Sequence, residues 1–154
     1  MTLEELFAGR NIDIPAAQQR MIGLMEQEGL PYGTRTHTYN SRLAQELAAW
    51  ADTQSRGGII HDELFRAYFV DGRNLASMGV LLNVAEKAGL SKETAAEVLN
   101  NRQFRDAVDA DWKLSRQYGI TGVPTFVVAG SGASGAQPYE VLERLVLAAG
   151  ARQR

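Results

Sequence analysis

The sequence predicts an α/β protein that is mostly helical, with one β-hairpin and one closing helix at its carboxyl end. Three observations carry this expectation. Apolar residues recur at helical spacing through most of the chain up to Tyr118. The period then changes at Thr125-Phe126-Val127-Val128-Ala129, a β-branched and aromatic run of strand length. Pro138 then precedes one further helical pattern, in the first-turn position where proline loses no hydrogen bond.

The elements follow in order. Thr2 with Glu5 three residues later is a reciprocal capping arrangement, so a short helix runs to about Ala8. Asp13 and Pro15 open a second helix, which Gly29 closes in the left-handed conformation. Residues 31–38, rich in Thr and Tyr, are expected as a short extended segment. Asn40 or Ser41 caps a helix bearing Leu43, Leu47, Trp50 and Ala51, with an end expected near Gly57-Gly58. Ile60, Leu64, Phe65, Tyr68 and Phe69 mark the next, ending before Asp71-Gly72. Ser77, Leu81, Leu82, Ala85 and Ala88 mark another, stopped by Gly89. Ser91 opens a short helix carrying Val98 and Leu99, which Asn100-Asn101 interrupts. Residues 103–118 read as one long helix with Phe104, Val108 and Leu114 near one side. After the strand at 125–129, the Gly/Ser stretch 130–135 reads as a flexible turn leading to a short return strand near Ala136. The final helix is expected to bury Leu142, Leu145, Val146 and Ala149.

Composition narrows the function classes. The 154 residues are 45% hydrophobic and 22% charged, ordinary for one folded domain with an elaboration. Sixteen basic and 18 acidic residues, net charge −2, form no basic stripe that could neutralise phosphates, so no nucleic acid partner is expected. No apolar run reaches spanning length, so no membrane partner is expected either. Met1 to Arg10 carries Glu4 and Glu5 rather than a basic start and an apolar stretch, which places the expected location in the cytoplasm. The cysteine count is zero. His37 and His61 stand 24 residues apart, too isolated for a metal pair. Trp50, Tyr68, Phe69 and Trp112 are read as core rather than as a substrate groove. The Gly/Ser stretch lacks the Lys-Ser/Thr of a phosphate loop.

One segment stands out: Gly119-Ile120-Thr121-Gly122-Val123-Pro124-Thr125-Phe126-Val127-Val128. A Gly-x-x-Gly-Val-Pro turn running into a strand resembles the proline loop of the thioredoxin superfamily. Other pieces join it in order: Asn40-Ser41-Arg42-Leu43-Ala44, Glu63-Leu64-Phe65-Arg66-Ala67-Tyr68-Phe69 with Asp71-Gly72, Val80-Leu81-Leu82 with Ala88-Gly89-Leu90, and Gly135-Ala136-Gln137-Pro138. Together they resemble the DsbA-like thioredoxin family, in its FrnE and 2-hydroxychromene-2-carboxylate isomerase branch. Gln45 stands where many relatives carry a histidine.

The resemblance implies a thioredoxin-like fold with a large helical insertion at about 40–101 inside a single domain, 1–154. Only the carboxyl-terminal hairpin and helix of the thioredoxin core are present. A strand, a helix opened by Cys-x-x-Cys or a Ser-containing equivalent, and a second strand precede the region of Met1 in relatives, so this chain is expected to be a truncated form or a remnant without the redox half. It further implies a cis Val123-Pro124 bond that presents the Val123 backbone to an extended substrate. Substrate contacts are implied at Val123, Pro124, Thr125 and Asn40, with no catalytic residue and no metal ligand in the chain. The expected partner is an extended peptide or a small thiol. No cofactor is expected for the oxidoreductase, and glutathione for the isomerase alternative; a noncatalytic peptide-binding module is the third reading. Thiol–disulfide exchange needs a thiolate, which a chain without cysteine does not supply. The strand at Thr125 should have one unpaired edge, from which a homodimer or domain swap is expected.

Overall fold

Local capping sets the first two helices. Thr2 Oγ1 accepts from the Glu5 amide while Glu5 returns a carboxylate oxygen to the Thr2 amide, starting α1, Leu3–Phe7. Asp13 accepts from the Ala16 amide and Pro15 sits in the first turn of α2, Ile14–Gln27. Gly29, at φ +66, follows its end. The computed structural model describes residues 1–54 and 57–152. Within them the chain continues through α3, Arg42–Asp52, α4, Gly57–Phe65, a π-helical turn, Arg66–Val70, and α5, Met78–Lys87. Then come α6, Lys92–Asn100, α7, Arg105–Gln117, β1, Thr125–Val128, β2, Ser131–Ser134, and α8, Tyr139–Ala148. The architecture is α/β and dominated by helices.

The chain divides into two compact units, Met1–Val108 and Asp109–Arg154. In the first, α3 packs against α4, α5 and α6. Leu47, Ala51, Ile60, Leu81, Ala85, Ala95 and Leu99 are sealed from solvent there, with Trp50, Leu64 and Val98 beside them. These are the apolar positions that the helical period marks, brought to one centre by short connections. One charged side chain joins them. Glu46, on the inner face of α3, is 1% exposed and accepts from Arg102 Nε at 2.8 Å, Arg102 Nη2 at 2.6 Å and Arg42 Nε at 2.9 Å. Arg42 also donates to the Arg105 carbonyl at 2.8 Å. Arg102 holds φ +51, a left-handed turn between α6 and α7 that is uncommon without glycine. The Arg102 hydrogen bonds, opposed by burial, keep the Glu46 carboxyl below the usual carboxylate range.

In the second unit, β1 and β2 form a two-stranded antiparallel sheet pairing Thr125 with Ser134 and Val128 with Ser131. The helix α8 packs against both strands.

Several local expectations are corrected. Gly57-Gly58 does not end α3, which stops at Asp52; the two glycines open α4. A side chain on Gly57 would collide with Asp52, so glycine permits a close approach there. Residues 31–38 form no strand beyond one bridge, Thr2 to His37. The return strand lies at Ser131–Ser134, inside the stretch read as a loop, because the turn is only Ala129-Gly130. Both residues take positive φ, +47 and +80, as a two-residue hairpin turn of the mirror type requires. Val146 and Ala149 are exposed rather than buried, because α8 covers only a two-stranded sheet. Trp112, read as core, is 47% exposed. Among the described residues, no helix is long and apolar enough to cross a membrane.

Candidate functional site

The candidate site is built by the turn that follows α7. Gly119, at φ +67, ends the helix, and its amide reaches back to the Arg116 carbonyl at 3.0 Å. The chain then crosses Thr121-Gly122 into the Val123-Pro124 bond, which is cis. Two hydrogen bonds fix the loop. The Gly135 amide donates to the Pro124 carbonyl at 2.8 Å, continuing the ladder by one step, and Thr125 Oγ1 donates to the Gly122 carbonyl at 2.7 Å. Gly135 can serve because it adopts φ +84 as the chain leaves β2. The Thr125 hydroxyl therefore closes the loop from inside.

What the loop leaves open follows from the same ladder. Bonded and non-bonded pairs alternate along antiparallel strands, and the Pro124–Gly135 bond sets the phase. The amide and carbonyl groups of Thr125 and Val127 accordingly face away from β2. Val123 is 92% exposed, and neither its amide nor its carbonyl is bonded to another described residue. Phe126 and Val127 are 38% and 37% exposed. Within this unit the open backbone groups are therefore those of Val123, Thr125 and Val127, with the Pro124 carbonyl held by Gly135 between them and apolar side chains beside them.

Asn40, the fourth predicted contact, belongs to the helical unit. Its Oδ1 accepts from the Arg42 amide at 2.9 Å, at the start of α3. Gln45 Nε2 donates to Ser41 Oγ at 2.9 Å. The two histidines have local partners: His37 Nδ1 with the Thr36 hydroxyl at 2.9 Å, and His61 Nε2 with Asp52 at 3.2 Å. Sequence reasoning missed two supports of the loop, the Gly135 amide and the left-handed Ala129. The Gly-Ala-Gln-Pro run after β2 was the available signal for the first.

A cis-proline loop feeding a strand, in a chain that also carries a helical array, is the pattern of the thioredoxin-like class. The chain belongs to the DsbA branch of that class: the family profile described as a DSBA-like thioredoxin domain matches residues 8–146. It is similar to a probable DsbA oxidoreductase from Streptomyces coelicolor, at 32% identity and a TM-score of 0.81, over 98% of this chain and 68% of that one. A candidate protein disulfide isomerase from Nitrosomonas europaea shares the fold, with a TM-score of 0.67 at 16% identity over 89% of this chain and 74% of that one. The uncharacterized protein YwbO of Bacillus subtilis is 27% identical over 111 residues, 71% of this chain. The chain spans 55% of the length of that relative.

Proposed function

We propose that the chain grips the substrate for a DsbA-like protein disulfide oxidoreductase of the FrnE branch, through the Val123-Pro124 loop and the open edge of β1. The observation that carries this reading is Val123, whose backbone donor and acceptor are unbonded and whose residue is 92% exposed beside that edge. An extended peptide laid there gains main-chain hydrogen bonds, while Phe126 and Val127 supply apolar contact. Exchange itself proceeds by thiolate attack on a disulfide sulfur. None of the 154 residues is a cysteine, so in this proposal the attacking sulfur belongs to the whole protein or to a partner thiol, not to these residues.

The FrnE assignment rests on the ordered set of pieces: Asn40 to Ala44, Glu63 to Phe69 with Asp71-Gly72, Val80 to Leu82 with Ala88 to Leu90, Gly119 to Val128, and Gly135 to Pro138. The same proposal includes one domain with a helical insertion at about 40–101, and self-association through the edge of β1.

Calorimetry with a cysteine-free extended decapeptide tests the grip. Saturable binding is expected, lost when alternate peptide nitrogens are methylated so that strand pairing is blocked. Equal binding of the methylated peptide refutes backbone pairing. Insulin reduction by the 154 residues should stay at the uncatalysed rate. Saturable binding of glutathione with no peptide binding would move the chain to the isomerase alternative.

A further inference from the structure

The helical unit carries a second cluster that neither the loop nor the core explains. Residues leading from α2 toward α3 run close along the π-helical turn. The Gly33 amide donates to the Phe69 carbonyl at 2.8 Å, and a side chain on Gly33 would collide with the Val70 carbonyl oxygen. The widened turn is closed by the Asp71 amide on the Arg66 carbonyl at 3.1 Å. Such turns recur at functional sites. Here it sets Tyr68 and Phe69 against Arg35, whose guanidinium carbon lies 5.0 Å and 4.9 Å from the two ring centroids.

The hydrogen bonding of Arg35 is incomplete. Nη1 donates to the Tyr68 hydroxyl at 2.8 Å, and that hydroxyl donates onward to the His37 carbonyl at 3.2 Å. Nε is buried and has no partner. A buried donor left without an acceptor is unfavourable, more so when the group is charged, whereas each ring contact is favourable. The observed arrangement therefore keeps a cation on its rings at the expense of its side-on edge. That edge, Nε with Nη2, is the one that takes the two oxygens of a carboxylate. Beside it Tyr32 stacks on Phe69 at 6.3 Å, and Phe65, 60% exposed, lies 6.1 Å from the same ring.

We propose that Arg35, with Tyr68, Phe69 and Phe65, forms a binding site for a monocarboxylate carrying an apolar body. The orphaned Nε and its neighbour Nη2 take the carboxylate after the guanidinium swings outward, and the Phe65–Phe69 surface takes the apolar part. A guanidinium pairs with carboxylate and phosphate oxygens alike, so the exposed apolar surface at Phe65 beside it is what selects an acid with an apolar body over inorganic phosphate. The site lies within the helical unit, and its proposal does not depend on the function proposed for the Val123 loop.

The test uses the whole chain labelled with nitrogen-15, following the Arg35 Nε–H signal together with the Phe69 and Val70 backbone amides, which remain readable in both variants below. Hexanoate serves as a free acid, and a tripeptide with a free carboxyl end as the other source of the same chemistry. Hexanamide, the amidated tripeptide and inorganic phosphate are the controls. Saturable movement of the signal is expected with the acids and not with the controls, and the tighter of the two acids names the source. Arg35→Met should abolish binding. Phe65→Ala, at an exposed position that leaves the fold intact, should weaken it about fivefold, the loss of roughly one kilocalorie of apolar contact. The proposal is overturned by no saturable movement, by hexanamide moving the signal as far as hexanoate, or by undiminished binding to both variants.

Discussion

The two units of this chain treat their apolar residues in opposite ways. Among the described residues, every buried side chain from Leu3 to Val108 lies in the helical unit, and the unit from Asp109 onward has none. There Trp112, Leu114, Tyr118, Val123, Phe126, Val127, Tyr139, Val146 and Leu147 stand between 37% and 92% exposed. Burial is concentrated where helices α3 to α6 enclose one another; where one helix covers two strands, every described apolar side chain reaches solvent. A two-stranded hairpin is marginal alone and requires cover. The lesson is that the proline loop is displayed by a thin support, while the helical unit holds itself together.

The largest expected effect breaks the sealed side of that comparison. Leu81, with no exposed surface at the centre of α5, should cost about 2–5 kcal/mol when cut to alanine, through lost burial and the cavity left behind. Urea unfolding followed by circular dichroism measures it. The same cut at Leu147, 38% exposed on α8, should cost well under half as much. Equal losses would erase the distinction between the units.

Next in size is Glu46→Gln, which removes the negative charge between Arg42 and Arg102. Both guanidinium groups reach some solvent, at 19% and 44% side-chain exposure, so about 2 kcal/mol is expected rather than the full penalty of a sealed charge. The pH dependence sharpens the test. The folded carboxyl titrates below its unfolded value, so its stabilisation is present above the unfolded pKa and is lost as pH falls through the folded one. Unfolding free energies measured from neutral pH down through the carboxylate range should fall in the native chain and flatten in the variant. An unchanged acid limb would show that other carboxylates carry it.

How much of this was legible in the sequence depends on the range of the causes. Thr2 with Glu5, Asp13 with Pro15, and Ser91 before α6 act within one turn, and each helix begins where those residues place it. Leu47, Ile60, Leu81 and Leu99 were legible as core because a helical period survives any arrangement of the helices. The Arg42–Glu46 pair has local spacing, but Arg102 joins it across 56 residues, and only folding brings it there. The return strand was hidden for another reason: Ser131-Gly132-Ala133-Ser134 has little preference for a pleat, and its pairing is imposed by the Ala129-Gly130 turn. In the candidate site, Pro124 was legible through its motif. The Gly135 amide that holds its carbonyl was not, because that contact exists only once the hairpin closes.

Ala129 gives a smaller test on the thin side. A non-glycine residue at φ +47 carries strain of about 1 kcal/mol, since its Cβ crowds the backbone. Ala129→Gly removes the crowding but adds freedom to the unfolded chain. The net expectation is a gain of about 0.5 kcal/mol, seen as slower hydrogen exchange at the Val128 and Ser131 amides with no change at Leu81. A matching slowdown at Leu81 would mean that the hairpin and the helical core open together.

The smallest effect on stability belongs to Val127→Lys, and it isolates the edge itself. Val127 is 37% exposed in a strand paired on one side only, so the exchange should move the folding free energy by less than about 0.5 kcal/mol. Its consequence should lie in association. A lysine on an open edge opposes pairing with another chain, because a second strand in register would have to bring a like charge against it or leave the ammonium poorly hydrated. If β1 receives extended chains, the native protein should show concentration-dependent mass by light scattering, and the variant should stay monomeric and bind the decapeptide more weakly. Losing self-association while keeping peptide affinity would separate the two and leave the Val123 turn alone as the grip. A native chain that is monomeric at every concentration, with slowly exchanging Thr125 and Val127 amides, would show that the edge is protected and that recognition does not run through it.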